Sequence, residues 1–142
     1  MKNFKRIVCC VLLLLFIMDI ALAEYKIYVN TKKCKVYVYE LRHNKWKVKK
    51  SERCCIGKNN KTPKGEFKIK SKREYFKKGD KYYDYACFFK GNYGFHTVPR
   101  VGKKYDNSSL GKKQSAGCVR LTKKLAKWIY ENCPKGTKVI IE

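Results

Sequence analysis

Acidic residues are scarce in this chain, which has 11 Asp and Glu against 35 Lys and Arg and a formal net charge of +24. Proline and glycine are also few, at 3 and 9 residues, which excludes collagen-like and low-complexity sequences. The 142 residues are nevertheless 44% hydrophobic, too apolar for a disordered polycation. The composition predicts one basic globular domain. Its charge favours an anionic polymer as partner but does not distinguish nucleic acid, anionic lipid and bacterial wall polymers.

Long hydrophobic runs are absent except for one near the start. Residues 7–18 form an apolar run that is short of the ~20 residues needed to span a membrane. Three basic residues precede this run, and the small residues 21–23 follow it as a cleavage signature. We therefore predict a signal peptide at 1–23 and a domain at 24–142. The mature protein is expected to be secreted, extracellular and cell-wall associated, without a membrane span.

Metal-ligand patterns are lacking as well. The chain has two histidines, His43 and His96, and no Cys-x-x-Cys, so we predict no metal site. Six cysteines follow the predicted signal peptide, and in an exported protein they allow either a disulfide framework or free thiols. Cys34 and Cys54 lie on opposite arms of the first predicted hairpin, where a bridge and a reduced pair are equally consistent with the sequence.

The apolar pattern predicts a mainly β fold. From Tyr25 onward, apolar residues alternate with polar ones at the period of two that is typical of strands. Lysines on the alternate positions of 45–49 and 67–70 are expected to line the solvent side of a sheet. One helix is predicted over 122–132, because Thr122 can cap it and Pro134 follows its end. The segment 98–114 is predicted to be an exposed loop.

Cys118 differs from the other cysteines because it lies just before the predicted helix. An unperturbed thiol is only a few per cent thiolate at neutral pH, so a nucleophilic cysteine needs an imidazole or a helix N-terminus nearby. His96 is the candidate partner, since His43 lies in a predicted turn. Gly117 allows a tight backbone turn that leaves amides for an oxyanion. The alternatives are a disulfide cysteine and an incidental strand histidine.

Four segments together resemble the L,D-transpeptidase (YkuD-type) catalytic domain. They are 62–67 (TPKGEF), 93–97 (YGFHT), 115–121 (SAGCVRL) and 136–141 (GTKVII). The resemblance implies a mixed, mostly antiparallel β-sandwich with one helix. It also implies a cysteine-dependent acyltransferase without cofactor, which forms 3-3 crosslinks between peptidoglycan stem peptides through a thioester.

The resemblance also implies roles for individual residues. Cys118 is expected to be the nucleophile, His96 the general base and then acid, and Thr97 the carbonyl that orients the imidazole. The backbone amides of Gly117 and Cys118 are expected to bind the oxyanion. Predicted substrate-binding residues are Arg120, Tyr93, Phe95 and Ser115. This chain has Ala116 where the family often has histidine, so His96 is expected to work alone.

Two alternatives remain open at the level of sequence. Water could replace the acceptor amine, which would make the enzyme an L,D-carboxypeptidase. A non-catalytic cationic protein that binds wall polymer or nucleic acid is the competitor outside enzymes. We expect peptidoglycan stem peptides as substrate and anionic wall polymers as partners by charge, with no specific nucleic acid.

Overall fold

Alternating apolar residues build the strands of two sheets in the computed structural model, which describes Met1 and residues 23–142. The predicted signal peptide lies almost wholly outside the described residues. The first sheet has the order β3-β2-β1-β13-β5, and the second has the order β10-β9-β7-β8-β12 with β6 also paired to β7. A third, two-stranded sheet joins β11 and β4. The strands are β1 (Tyr25–Asn30), β2 (Lys35–Arg42), β3 (Lys45–Arg53), β4 (Ile56–Gly57), β5 (Gly65–Lys68), β6 (Ser71–Lys78), β7 (Lys81–Lys90), β8 (Tyr93–Thr97), β9 (Arg100–Val101), β10 (Lys104–Tyr105), β11 (Lys113–Ser115), β12 (Val119–Leu121) and β13 (Lys138–Ile141).

Most strand pairs are antiparallel, but three are parallel: β1 with β13, β12 with β8, and β11 with β4. The predicted mixed, mostly antiparallel β fold is confirmed. The helix α1 (Lys123–Asn132) is also confirmed, and the Thr122 hydroxyl caps it by accepting a hydrogen bond from Leu125 N.

The hydrophobic core lies between the two sheets and the helix. Each element contributes its apolar alternate positions, for example Val36 from β2, Phe89 from β7 and Ile129 from α1, all fully buried. Burial of such side chains is the main favourable term in folding. The two sheets therefore pack against each other through this core. Strands β8 and β12 present their other face to the solvent side of the second sheet.

Two local expectations need correction, and one alternative that the sequence left open is decided. Residues 98–114 are not one loop, because they contain β9, β10, β11 and a short 3-10 helix. On β3 the apolar side chains Trp46 and Val48 are exposed, because a bulge shifts the register and β3 is an edge strand. The six cysteines of the described residues are free thiols, so the possible Cys34–Cys54 bridge is not formed. Among the described residues, no helix combines the length and hydrophobicity required to cross a membrane.

Candidate active site

The parallel pairing of β8 with β12 determines which side chains meet. His96 lies opposite Arg120, and Phe95 lies opposite Val119. Side chains alternate between the two faces of a sheet, so Cys118, two residues before Arg120, is on the same side as His96. Phe95 and Val119 are directed to the core, where both are fully buried. The register therefore brings the predicted nucleophile and the predicted base to one cavity.

This cavity has a volume of about 400 Å³. It is bounded by strands β6, β7 and β8 and by the loop that leads into β12. Its lining combines aromatic side chains with three cations and contains no carboxylate. The lining residues are Arg73, Phe76, Lys78, Tyr83, Phe88, Asn92, Tyr93, His96, Ser115, Ala116, Cys118 and Arg120. A pocket with this composition suits a ligand that carries negative charge.

The His96 imidazole is held in one tautomer. Its Nδ1 lies 2.7 Å from the carbonyl oxygen of Thr97. Because a carbonyl only accepts, Nδ1 carries the proton and donates, which leaves Nε2 as a proton acceptor. The rings of Phe76 and Tyr83 pack edge-on against the imidazole, with centroids 5.2 and 5.0 Å away. The predicted orienting carbonyl is thus in hydrogen-bond contact with the predicted base.

Burial makes the imidazole neutral at neutral pH. His96 is 3% exposed, and desolvation lowers its pKa to about 4, with the charge of Arg120 acting in the same direction. The hydrogen bond to Thr97 opposes this shift without cancelling it.

The Cys118 thiol is half-buried and is protonated in the resting state. Its Sγ donates a hydrogen bond to the carbonyl of Asn92 at 3.3 Å. Burial raises the pKa of this thiol, while a hydrogen bond from the backbone N–H of Gly94 and the charges of Arg120 and Lys78 lower it. Since the net shift is upward, the sulfur needs a base to become a nucleophile at neutral pH.

The loop before Cys118 is closed by its own hydrogen bonds. The Ser115 hydroxyl accepts from Gly117 N at 3.0 Å and donates to the Cys118 carbonyl at 2.6 Å. The Gly117 amide is therefore already engaged, and its predicted role as an oxyanion donor does not fit this arrangement. Ser115 lines the cavity, but its hydroxyl shapes the loop, so its predicted contact with substrate does not fit either.

Gly117 is required by its backbone conformation and by its neighbour. Its φ of +138° is in the region that disfavours residues with a Cβ. A Cβ at this position would also collide with the ring of Tyr93. Tyr93 thus packs against the backbone of the nucleophile loop at the same time as it lines the cavity.

Thr62 is a contributor to the site that sequence reasoning missed. Its buried hydroxyl accepts from Gly57 N at 2.7 Å and donates to the Gly117 carbonyl at 2.8 Å. The chain is so close here that a Cβ on Gly57 would lie 2.9 Å from the Cα of Gly117. Thr62 therefore ties the nucleophile loop to β4. The segment 62–67 was a visible signal, but a motif does not name a hydrogen-bond partner 55 residues away.

Two predicted substrate-binding residues differ in outcome. Phe95 does not fit the prediction, because its ring is fully buried in the core against Phe89, with centroids 5.3 Å apart. Arg120 does line the cavity, and its Nε is buried without a hydrogen-bond partner. A buried donor without a partner is costly, so this atom is suited to meet an anionic group of a ligand. No cluster of three or more His, Cys, Asp or Glu that could hold a metal occurs in the described part of the chain.

Comparison with known proteins identifies the family. The family model of the L,D-transpeptidase catalytic domain, YkuD, matches residues 24–141. A Bacillus subtilis (strain 168) protein named "Putative L,D-transpeptidase YciB" is 34% identical over 132 residues, which cover 87% of this chain and 68% of that protein.

Solved structures give the same fold. A Clostridium acetobutylicum ATCC 824 protein, named a fused Zn-dependent amidase/peptidase/peptidoglycan-binding domain-containing protein, is 30% identical with a TM-score of 0.70, covering 84% of this chain and 52% of that one. An L,D-transpeptidase from Mycobacterium smegmatis has a TM-score of 0.71 at 19% identity, covering 84% and 59%. L,D-transpeptidase 3 from Mycobacterium tuberculosis, solved with a faropenem-derived adduct, has a TM-score of 0.66 at 17% identity, covering 84% and 60%. The chain thus spans about half to three fifths of these proteins. By its match over nearly the whole described length, the chain belongs to the L,D-transpeptidase (YkuD) catalytic domain family.

Proposed function

We propose that this protein is a peptidoglycan L,D-transpeptidase that forms 3-3 crosslinks through a thioester on Cys118. Its family consists of enzymes that act on peptidoglycan stem peptides. The observation that carries the proposal is that Cys118 and His96 line one cavity, in which the hydrogen bond from Nδ1 to the Thr97 carbonyl leaves Nε2 of the imidazole as a proton acceptor.

Acylation starts from a neutral pair. As Sγ of Cys118 attacks the carbonyl carbon of a stem peptide, its proton moves to Nε2 of His96. The imidazolium then donates this proton to the leaving amine of the terminal D-Ala, and the C–N bond breaks. The products are a thioester on Cys118, free D-Ala and a neutral His96.

Deacylation repeats the proton transfers with a different nucleophile. An amine from a neighbouring stem attacks the thioester carbonyl and gives up a proton to His96. That proton passes to the departing sulfur as the C–S bond breaks, so a new amide forms and Cys118 returns as a thiol. Acyl transfer by this route requires no metal or organic cofactor.

Charge in the cavity supports an anionic substrate. The cavity is lined by three basic residues, Arg73, Lys78 and Arg120, and by no acidic residue. Stem peptides carry carboxylates that these cations can attract. The buried Nε of Arg120 is the donor that we assign to one of these carboxylates. The same cations stabilise negative charge that develops on the attacked carbonyl oxygen.

Export is part of the proposal, since the substrate is outside the membrane. The basic start, the apolar run at 7–18 and the small residues at 21–23 support a signal peptide that is cleaved after Ala23. N-terminal sequencing of protein recovered from the culture medium and from the wall fraction tests this. A mature protein that begins at Glu24 is expected, and an intact N-terminus in the exported protein contradicts it.

Intact mass spectrometry with a disaccharide-tetrapeptide tests the proposed chemistry. We expect one adduct on Cys118 with loss of D-Ala, followed by a crosslinked dimer when an acceptor stem is present. Cys118→Ala is expected to give no adduct. Cys34→Ala replaces a buried cysteine that does not line the cavity and is expected to behave as wild type.

Two outcomes would change the assignment. A wild-type protein that releases D-Ala but yields only hydrolysed tripeptide, even with excess acceptor, is an L,D-carboxypeptidase. A protein that binds wall polymer equally well with and without Cys118, and is never acylated, is a non-catalytic binder.

A further inference from the structure

The first sheet has an outer face directed away from the core, on the far side from the Cys118 cavity. On β1 and β2 the residues Ile27, Val29, Val36 and Val38 are fully buried, so the alternate residues of these strands lie on the opposite face. The strand pairing places basic and aromatic side chains together on this outer face. They are Lys26, Tyr28, Lys35, Tyr37, Tyr39, Trp46, Lys68 and Lys138.

Three of these lysines form a row across three neighbouring strands. Lys26 on β1 lies opposite Lys138 on β13, which in turn lies opposite Lys68 on β5. Neighbouring strands are about 4.8 Å apart, so the backbones of these three residues lie within about 10 Å of one another. The Lys26 ammonium is directed across β2 toward Trp46 on β3, and the Lys138 ammonium is directed toward Glu66 on β5, so the cations are spread along the face. Like charges directly opposite each other destabilise a sheet. Two acids lie nearby: Glu66 reaches Lys138 at 3.1 Å with both side chains exposed, and the Glu142 carboxylate accepts a hydrogen bond from the Tyr28 hydroxyl. The four lysines of the face outnumber these two acids.

Aromatic rings hold two cations of this face in place, Lys26 and Lys35. The ammonium of Lys26 lies 4.4 Å from the ring centroid of Trp46 and 5.3 Å from that of Tyr39. The ammonium of Lys35 lies 5.1 Å from the ring of Tyr37. Such contacts order long side chains that would otherwise lose rotamer freedom on binding a ligand. They also cover the faces of these rings, so nucleic-acid bases, which bind by stacking on open aromatic faces, are poorly accommodated.

We propose that this outer face is a binding surface for a linear polyol-phosphate polymer of the bacterial wall. A flexible chain with one phosphate per repeat can match cations that recur across and along the sheet. It needs no open aromatic face, because phosphate contacts alone supply its affinity. The proposal goes beyond acyl transfer and does not depend on it, since the surface and the Cys118 cavity are on different sheets. The surface would hold the enzyme on the wall while leaving the cavity open to stem peptides.

Binding of poly(glycerol phosphate) by calorimetry at several salt concentrations tests the proposal. The test variant is the triple Lys26→Gln, Lys68→Gln, Lys138→Gln. The matched control is Lys112→Gln, Lys124→Gln, Lys135→Gln, which removes the same charge from exposed positions elsewhere. We expect the test variant to lose about tenfold to a hundredfold in affinity at low salt and about two to three units of the slope of log K against log salt. The control is expected to change affinity less than threefold.

Two results would overturn it. An equal loss of affinity in the two triple variants would show that net charge alone attracts the polymer. Tighter binding of a single-stranded oligonucleotide with the same number of phosphates would show that the face recognises nucleic acid instead. Thermal unfolding and acylation of Cys118 by a small β-lactam serve as controls for folding. Acylation is expected to match wild type in both variants, and thermal stability is expected to be unchanged in the control variant and unchanged or slightly higher in the test variant, where opposed like charges are removed.

Discussion

Two arginines on the second sheet show the difference between a structural site and one that awaits a ligand. Arg100 is fully engaged: its Nε and Nη2 donate to the Asp84 carboxylate at 2.5 and 2.9 Å, and its Nη1 donates to the Gly102 carbonyl at 2.7 Å. Tyr105 adds a hydrogen bond to the same carboxylate at 2.6 Å. Arg120, in the neighbouring cavity, has a buried Nε without a partner. Arg100 thus belongs to a network that holds the fold, whereas we propose that the open Nε of Arg120, which lines the cavity, meets a carboxylate of the substrate.

The hydrogen-bond network of Arg100, Asp84 and Tyr105 also shifts the pKa values of its members. Although burial opposes it, the hydrogen bonds from Arg100 and Tyr105 and the nearby cations lower the pKa of the Asp84 carboxyl. Burial and the bond to Asp84 raise the pKa of Tyr105 to about 12. Around Cys118 and His96 the effects run the other way, because burial favours the neutral form of both groups. The surroundings of Asp84 therefore stabilise its charged form. The surroundings of Cys118 and His96 stabilise the neutral forms of two groups that, as we propose, become charged only during the reaction.

Replacing the nucleophile is expected to have the largest effect. Cys118→Ser should reduce acylation by a tetrapeptide donor at least about 1,000-fold, because His96 is a weak base toward the far less acidic hydroxyl. Thermal unfolding should remain close to that of wild type, since a serine hydroxyl can replace the thiol in its hydrogen bonds to the backbone of Asn92 and Gly94. Mass spectrometry and differential scanning calorimetry measure the two quantities. Acylation of the serine variant at the wild-type rate would place the nucleophile elsewhere.

Paired arginine variants test the comparison itself. Arg120→Gln is expected to raise KM for the donor about tenfold to a hundredfold with little change in stability, because an open donor to a carboxylate is lost. Arg100→Gln is expected to leave KM unchanged and to lower the free energy of unfolding by about 2 kcal/mol, because Asp84 is left without its charged partner. Steady-state kinetics and urea unfolding distinguish them. If the two variants exchanged these effects, the distinction between open and closed regions would be lost.

Replacing Thr62 is expected to have a smaller effect on activity, because its hydroxyl supports the loop that carries Cys118 and does not contact the substrate. Thr62→Val removes the link from Gly57 N to the Gly117 carbonyl and should lower kcat about tenfold with KM nearly unchanged, since the loop loses its position but the cavity cations remain. Thr62→Ser keeps the hydroxyl and should restore most of kcat. A serine variant as slow as the valine variant would show that the methyl group and packing matter, and the hydroxyl does not.

Stability as a function of pH should show an effect of the burial of His96. Its pKa is about 4 in the folded protein and near 6.5 unfolded. The unfolded state therefore binds the proton first, and stability falls as pH decreases from about 6.5 to about 4. Urea unfolding of wild type and His96→Gln across this range should show a steeper decline in wild type. Parallel curves would mean that the imidazole is not buried as described.

Sequence reasoning predicted the elements better than their faces. The period-two pattern and the Thr122 cap were sufficient for the helix and for many of the strands, because both signals are local, but the short strands β9, β10 and β11 were missed. Phe95 was assigned to the substrate groove. Strand alternation places it on the other face of the sheet from its neighbour His96, and its side chain is buried in the core. The exposure of Trp46 and Val48 on β3 depends on a bulge opposite Val38 and Tyr39, and no local sequence pattern predicts this bulge.

The proposed reacting residues of the candidate site could be named from the sequence, but the hydrogen bonds that support them could not. Cys118 and His96 are chemically unusual and lie in recognisable segments. The bonds from Ser115 to Gly117 and from Thr62 to the Gly117 carbonyl depend on how the chain returns to itself, over distances that motif spacing does not encode. The open Nε of Arg120 appears only when the burial of each atom is known.

The rate of Cys118 acylation as a function of pH, in wild type and His96→Gln, tests the central claim most directly. A neutral thiol served by a neutral imidazole predicts a rate that is steady near neutral pH and falls as pH decreases through about 4, where His96 takes up its proton. The His96→Gln variant should be slower and should gain rate only at alkaline pH, as the thiol itself ionises. Identical profiles in the two proteins would contradict the account, because the imidazole would then take no part in activating the sulfur.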